Sequence, residues 1–141
     1  MATPIHHMSI IQYYRDGRPW SSEQVLSPSW TEVEAAIRRM DNDCFPIVDL
    51  NCTEYEDDED IFTVIGGDGR WALMQMMGDW QYEDPAGGDG EVRLWESDQG
   101  YFCKERNVLM DVEKVLRLVR AFYDSGSYAR LEEVALSMRN G

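Results

Sequence analysis

Ile61–Met77, IFTVIGGDGRWALMQMM, is the stretch whose reading decides the fold. Two short apolar runs, IFTVI and WALMQM, flank Gly66-Gly67-Asp68-Gly69. Runs of this length, rich in β-branched and aromatic residues and joined by glycines, predict two antiparallel strands and a tight turn. Glycine suits that turn because it accepts positive φ without a Cβ clash. A phosphate-cradling loop would need a helix after the glycines and a lysine near their end. Arg70-Trp71-Ala72-Leu73 reads as strand instead, and no Gly-Lys-Ser/Thr follows.

Upstream, Ser29-Trp30-Thr31-Glu32 is a capping box, in which serine and glutamate satisfy N–H groups orphaned at a helix start. Trp30, Val33, Ile37 and Met40 recur at helical spacing as one buried stripe. Arg38 and Arg39 complement the dipole in the last turn, and Asp41-Asn42-Asp43 ends the helix. That Asp/Asn triplet lacks the glycine and glutamate of a calcium loop. Phe45–Leu50 reads as a strand. Residues 1–28 read as an N-terminal extension with a strand-like run, Met8–Tyr14, and a possible edge strand at Gln24-Val25-Leu26.

Downstream, Gly78-Asp79-Trp80-Gln81-Tyr82 places Trp80 and Tyr82 on one side of an extended segment. Residues 84–90 form a loop that repeats Gly-Gly-Asp-Gly, read as the same turn chemistry used twice. Glu91–Glu96 alternates, with Val92 and Leu94 on one side and Arg93 and Trp95 on the other, and pairs with Tyr101-Phe102-Cys103 as a second hairpin. Asp111 is a credible N-cap for a helix carrying Val112, Val115, Leu116, Val119, Phe122 and Tyr123, which Gly126 is placed to end. Tyr128–Met138 follows as a further helix. Strands grouped in the middle and bracketed by helices predict an α+β fold: an antiparallel sheet of hairpins with two or three helices mainly on one face. At 141 residues the chain is read as a single domain.

The formal net charge is −14, extreme at this size. It argues against direct binding of nucleic acid or a membrane surface, since both would repel the chain; the excess acid either suits a basic partner or does no more than keep the protein in solution. Cys44, Cys52 and Cys103 are odd in number and lack metal-type spacing, so they read as reduced thiols of a cytoplasmic protein. No apolar run approaches membrane-spanning length. His6 and His7 are adjacent near the N-terminus and read as surface residues. No nucleophile elbow or distinctive carboxylate pair stands out, so no catalytic residue, metal ligand or cofactor is assigned and the chain is read as a non-enzyme.

Glu54-Tyr55-Glu56-Asp57-Asp58-Glu59-Asp60 has six acids in seven residues. Such a run is a solvated connector between strands or an electrostatic hook for a basic protein, with a metal site as the lesser alternative.

Several pieces in order resemble the Immunity protein 1 family of bacterial polymorphic toxin systems. They are Trp30-Thr31-Glu32-Val33-Glu34-Ala35-Ala36-Ile37-Arg38-Arg39, then Ile65-Gly66-Gly67-Asp68-Gly69-Arg70-Trp71, then Trp80 with Asp84-Pro85. Gln99-Gly100-Tyr101 and the helix from Met110-Asp111-Val112-Glu113 to Ala121-Phe122-Tyr123 complete the set, which covers roughly residues 29–126. The acidic insert 54–60 and the extended N-terminus depart from the family pattern. The resemblance implies a cytoplasmic, non-enzymatic protein that binds a cognate toxin domain and occludes its active site. Toxins of such systems are often nucleases or nucleic-acid deaminases, whose basic surfaces suit a −14 inhibitor.

On that expectation Glu54, Glu56, Asp57, Asp58, Glu59 and Asp60, with Asp68, Asp79, Glu83 and Asp84, supply steering and salt bridges. Trp80, Tyr82 or Trp95 would be desolvated anchors, the competing reading of each being core packing. Two other classes stay open: an acidic DNA mimic that inhibits a nucleic-acid-binding protein, and a small hydrolase, which would show a pocket with a perturbed residue.

Overall fold

A computed structural model describes residues 4–14, 16, 18–52, 61–76, 78–94 and 101–140. The quoted stretch forms β4 (Ile61–Gly67) and β5 (Arg70–Gln75), joined by Asp68-Gly69. Both turn residues have positive φ, 53° and 91°, the sign pattern of the type I′ turn that matches strand twist. Gly66 and Gly67 lie at φ 123°. A Cβ on Gly66 would meet the Arg70 carbonyl, and one on Gly67 would meet the backbone of Met40 and Asp41. Asn42 N–H donates to the Gly66 carbonyl at 2.9 Å, so the double glycine is where the hairpin touches the end of the first helix.

The main sheet has five strands in the order β2-β1-β3-β4-β5, every pair antiparallel. Its other strands are β1 (His7–Gln12), β2 (Ser21–Leu26) and β3 (Ile47–Asn51). Residues read as an N-terminal extension thus supply two strands, and β1 is internal. Ile5, Met8 and Ile10 are buried in the core. His7, expected at the surface, is buried as well, at 5% exposure, because strand pairing on both sides of β1 holds it inside the sheet.

Three helices, α1 (Trp30–Arg39), α2 (Val112–Ser125) and α3 (Tyr128–Asn140), cover one face of this sheet. The capping box on α1 is formed, with Ser29 Oγ accepting from Glu32 N–H and Glu32 Oε1 from Ser29 N–H. Asp111 caps α2, and Gly126 ends it in the left-handed conformation at φ 64°. Val33, Ile37, Val115, Val119, Phe122 and Leu131 meet Met8, Val48, Leu50, Phe62, Val64 and Leu73 in one core, where Phe62 and Phe122 stack at 4.7 Å. The α+β reading, helices on one face of an antiparallel sheet, is what the structure has.

The second hairpin, β6 (Glu91–Leu94) with β7 (Tyr101–Lys104), forms its own two-stranded sheet. It lies against the helix-free face of the main sheet: Leu94, Val92, Tyr101 and Cys103 pack on Ile47, Ile65, Ala72 and Met74. The second Gly-Gly-Asp-Gly does not repeat the first turn. None of Gly87, Gly88 and Gly90 has positive φ, and the loop instead pairs with the 3₁₀ turn Glu105–Asn107. Glu105 N–H donates to the Gly90 carbonyl and Arg106 N–H to that of Gly88. Among the described residues no helix is long and apolar enough to cross a membrane.

Candidate site on the helix-free face

Side chains alternate along a strand, so residues between core positions point away from the helices. In β1, His7, Ser9 and Ile11 alternate with Met8 and Ile10; in β3, Asp49 and Asn51 alternate with Val48 and Leu50. Antiparallel pairing puts these residues side by side: Gln24 faces Ser9, Ser9 faces Asp49, and Asp49 faces Thr63. The next row runs Leu26, His7, Asn51, Ile61. The β6–β7 hairpin covers one part of this face, and the remainder is a concave cavity of about 250 Å³. Its lining is polar at the floor (His7, Ser9, Gln24, Asp49, Asn51) and carries Trp20, Ile61 and Met76 among its apolar walls.

Ser9 Oγ donates to Gln24 Oε1 at 2.9 Å, and Gln24 Nε2 donates to Ser22 Oγ at 2.7 Å. Thr63 Oγ1 donates to Asp49 Oδ1 at 2.7 Å. Asp49 keeps some exposed surface, yet protein crowds its carboxyl and no cation of the described residues pairs with it. Burial therefore pushes its pKa from 3.8 up to about 6, and the Thr63 hydrogen bond only partly opposes the rise. Asn51 is 4% exposed, and its Oδ1 has no hydrogen-bond partner. A buried acceptor left open is uncommon and costs desolvation energy. Trp20, at the rim, is 57% exposed, and Leu26 beside His7 is 71% exposed.

The structure separates the residues singled out from sequence. Glu54, Glu56, Asp57, Asp58, Glu59, Asp60 and Trp95 lie outside the described residues. In the chain, though, the acidic run is bracketed by Asn51 and Ile61, both in the cavity lining. Asp68 is exposed at the β4–β5 turn and Asp79 is exposed beyond the far end of β5. Six strand residues separate them, about 20 Å at ~3.3 Å per residue. Asp84 accepts from Ala86 N–H at 3.0 Å in its own turn. Glu83 faces Arg106 at 4.0 Å.

The aromatic anchors need correction. Tyr82 is buried at 6% exposure, because its N–H donates to the Leu73 carbonyl and lays the segment along β5 with the ring turned into the core. Trp80 shares that inward side. It packs at 6.2 Å from Phe62 and 5.7 Å from Tyr128, and its Nε1–H donates to Glu132 at 2.8 Å. It is half-buried and ties α3 to the sheet rather than standing free as an anchor. Among the described residues the exposed tryptophan is Trp20, which sequence reasoning passed over inside a turn-rich segment.

All three cysteines are thiols, and the described residues contain no group of three or more His, Cys, Asp or Glu able to hold a metal ion. Compared with known protein families, curated proteins and solved structures, the chain matches none.

Proposed function

We propose that the chain is a cytoplasmic immunity protein that binds a basic toxin domain, of nuclease or deaminase type, and blocks its active site without catalysing a reaction. The observation that carries this reading is the charge of −14 together with a concave, polar-floored face that no lysine or arginine of the described residues lines. Complementary fields speed encounter with a phosphate-binding cleft and disfavour wrong partners. The resemblance of several short motifs to the Immunity protein 1 family points the same way.

A DNA mimic needs carboxylates spaced like phosphates over one face. Asp68 and Asp79 instead sit at opposite ends of β5, while Asp89 and Glu83 converge on Arg106 at 2.6 and 4.0 Å. A small hydrolase is favoured by one observation, the raised carboxyl of Asp49, since acid–base catalysts are tuned in this manner. Against it, the cavity of about 250 Å³ is smaller than the roughly 300–1,000 Å³ that encloses a drug-sized ligand.

The test is protection. The gene is co-expressed with the C-terminal domain of any secreted protein encoded beside it. The expected result is restored growth and a complex stable on gel filtration. A domain that kills regardless, and is never retained even at low salt, overturns the proposal.

A further inference from the structure

We infer that the cavity on the helix-free face is a slot for one arginine side chain of the basic partner, held by Asp49 and Asn51 on its floor and by Trp20 at its rim. This deepens the immunity reading and rests on it for the identity of the partner.

The chemistry of the floor selects a donor-rich cation. Asp49 offers a carboxylate on which Thr63 uses one oxygen, and Asn51, which lines the cavity beside it, has a buried Oδ1 without a partner. Among the described residues that line the cavity there is no lysine or arginine. The cation nearest in sequence to Trp20, Arg18, is already held by Asp16 at 2.8 Å. A guanidinium carries five N–H donors in a planar fork and is weakly hydrated, so it satisfies several acceptors at once. Its flat face also stacks on an indole, which Trp20 presents. An ammonium has only three donors and is more strongly hydrated. The cavity volume suits one long side chain rather than a nucleotide.

An unpaired carboxylate so crowded is uncomfortable until a cation arrives. Below pH about 6 Asp49 holds a proton that the guanidinium must displace. Binding should therefore weaken about tenfold per pH unit in that range. His7 is the other titratable group in the lining.

The experiment uses the full chain labelled for NMR and titrated with Nα-acetyl-arginine amide, its neutral citrulline analogue and Nα-acetyl-lysine amide. Expected are shifts at Asp49, Asn51 and the Trp20 indole with arginine, a fall in the Asp49 pKa, and at least tenfold weaker binding by citrulline and by Asp49→Asn. Trp20→Ala, an exposed substitution that leaves the fold intact, should weaken binding severalfold. Citrulline binding as well as arginine overturns the slot, and so do shifts confined to residues 54–60. Lysine binding equally overturns the guanidinium assignment. The two readings fail separately. A toxin domain neutralised undiminished by Asp49→Asn sinks the slot alone, and arginine bound by a chain that protects against no toxin sinks the immunity reading alone.

Discussion

Thr63 donates to Asp49 across the β3–β4 pair, O to O at 2.7 Å, and this bond is what steadies a carboxyl that burial otherwise disfavours. Relative to the unfolded chain, the folded protein holds the Asp49 proton more tightly. The favourable contribution is therefore complete below pH about 4 and is lost as pH rises through about 6.

Asp49→Asn should consequently stabilise the protein at pH 8, by about 1–3 kcal/mol, while changing little at pH 4. Asparagine still accepts the Thr63 hydrogen bond. Urea unfolding of both chains at several pH values measures the difference, which also cancels the titration of the other acids. Equal stability gaps at pH 4 and pH 8 would remove the basis for a raised Asp49.

Thr63→Val removes the donor while keeping the shape. It should cost about 1–3 kcal/mol at pH 8, because an ionised acceptor is left unsatisfied. Carbon-13 titration of the Asp49 carboxyl should show its pKa moving further up. A downward shift would mean that Thr63 opposes ionisation.

Gly67→Ala should destabilise by about 2–4 kcal/mol, since it combines a positive φ with a collision against Met40 and Asp41 backbone. Gly69→Ala faces open space and should cost only about 1–2 kcal/mol, from its φ alone. Denaturant midpoints compare them, and equal losses would contradict the close approach of hairpin and helix.

Trp80→Phe leaves Glu132 without its indole donor and should cost about 1–2 kcal/mol. Trp80→Ala also opens a gap beside Phe62 and Tyr128, and should cost about 3 kcal/mol. Neither should alter association with the basic partner in stopped-flow measurements. A slower or weaker association, with stability intact, would return Trp80 to the interface.

Replacing the six acids between Glu54 and Asp60 by Asn and Gln should slow association roughly tenfold at low salt and flatten its dependence on ionic strength. An unchanged rate in dilute buffer rules the run out as an electrostatic hook.

The readable parts of the fold were those written locally. The Asp68-Gly69 turn, the Ser29–Glu32 box and the Asp111 and Gly126 caps each rest on a few adjacent residues. The N-terminal strands were harder to read. Ser21–Leu26 is mostly exposed and polar, and Met8–Ile11 lacks strict alternation of apolar and polar types. A signal for the cavity did exist: Asp49 and Asn51 alternate with Val48 and Leu50, which puts two polar groups on the face opposite the core. Trp80 and Tyr82 share one side, as their spacing predicts, but that spacing is the same whether the side meets solvent or protein.

By itself the order of residues settled the central hairpin, where the first two helices begin and end, and that the molecule carries a large negative charge. Those properties follow from neighbours a few bonds apart or from a sum over the whole chain. Only tertiary structure made one floor of His7, Ser9, Gln24, Asp49 and Asn51, because that floor is a product of strand register across three separate parts of the chain. Whether a carboxyl is crowded or solvated depends on what packs around it in space.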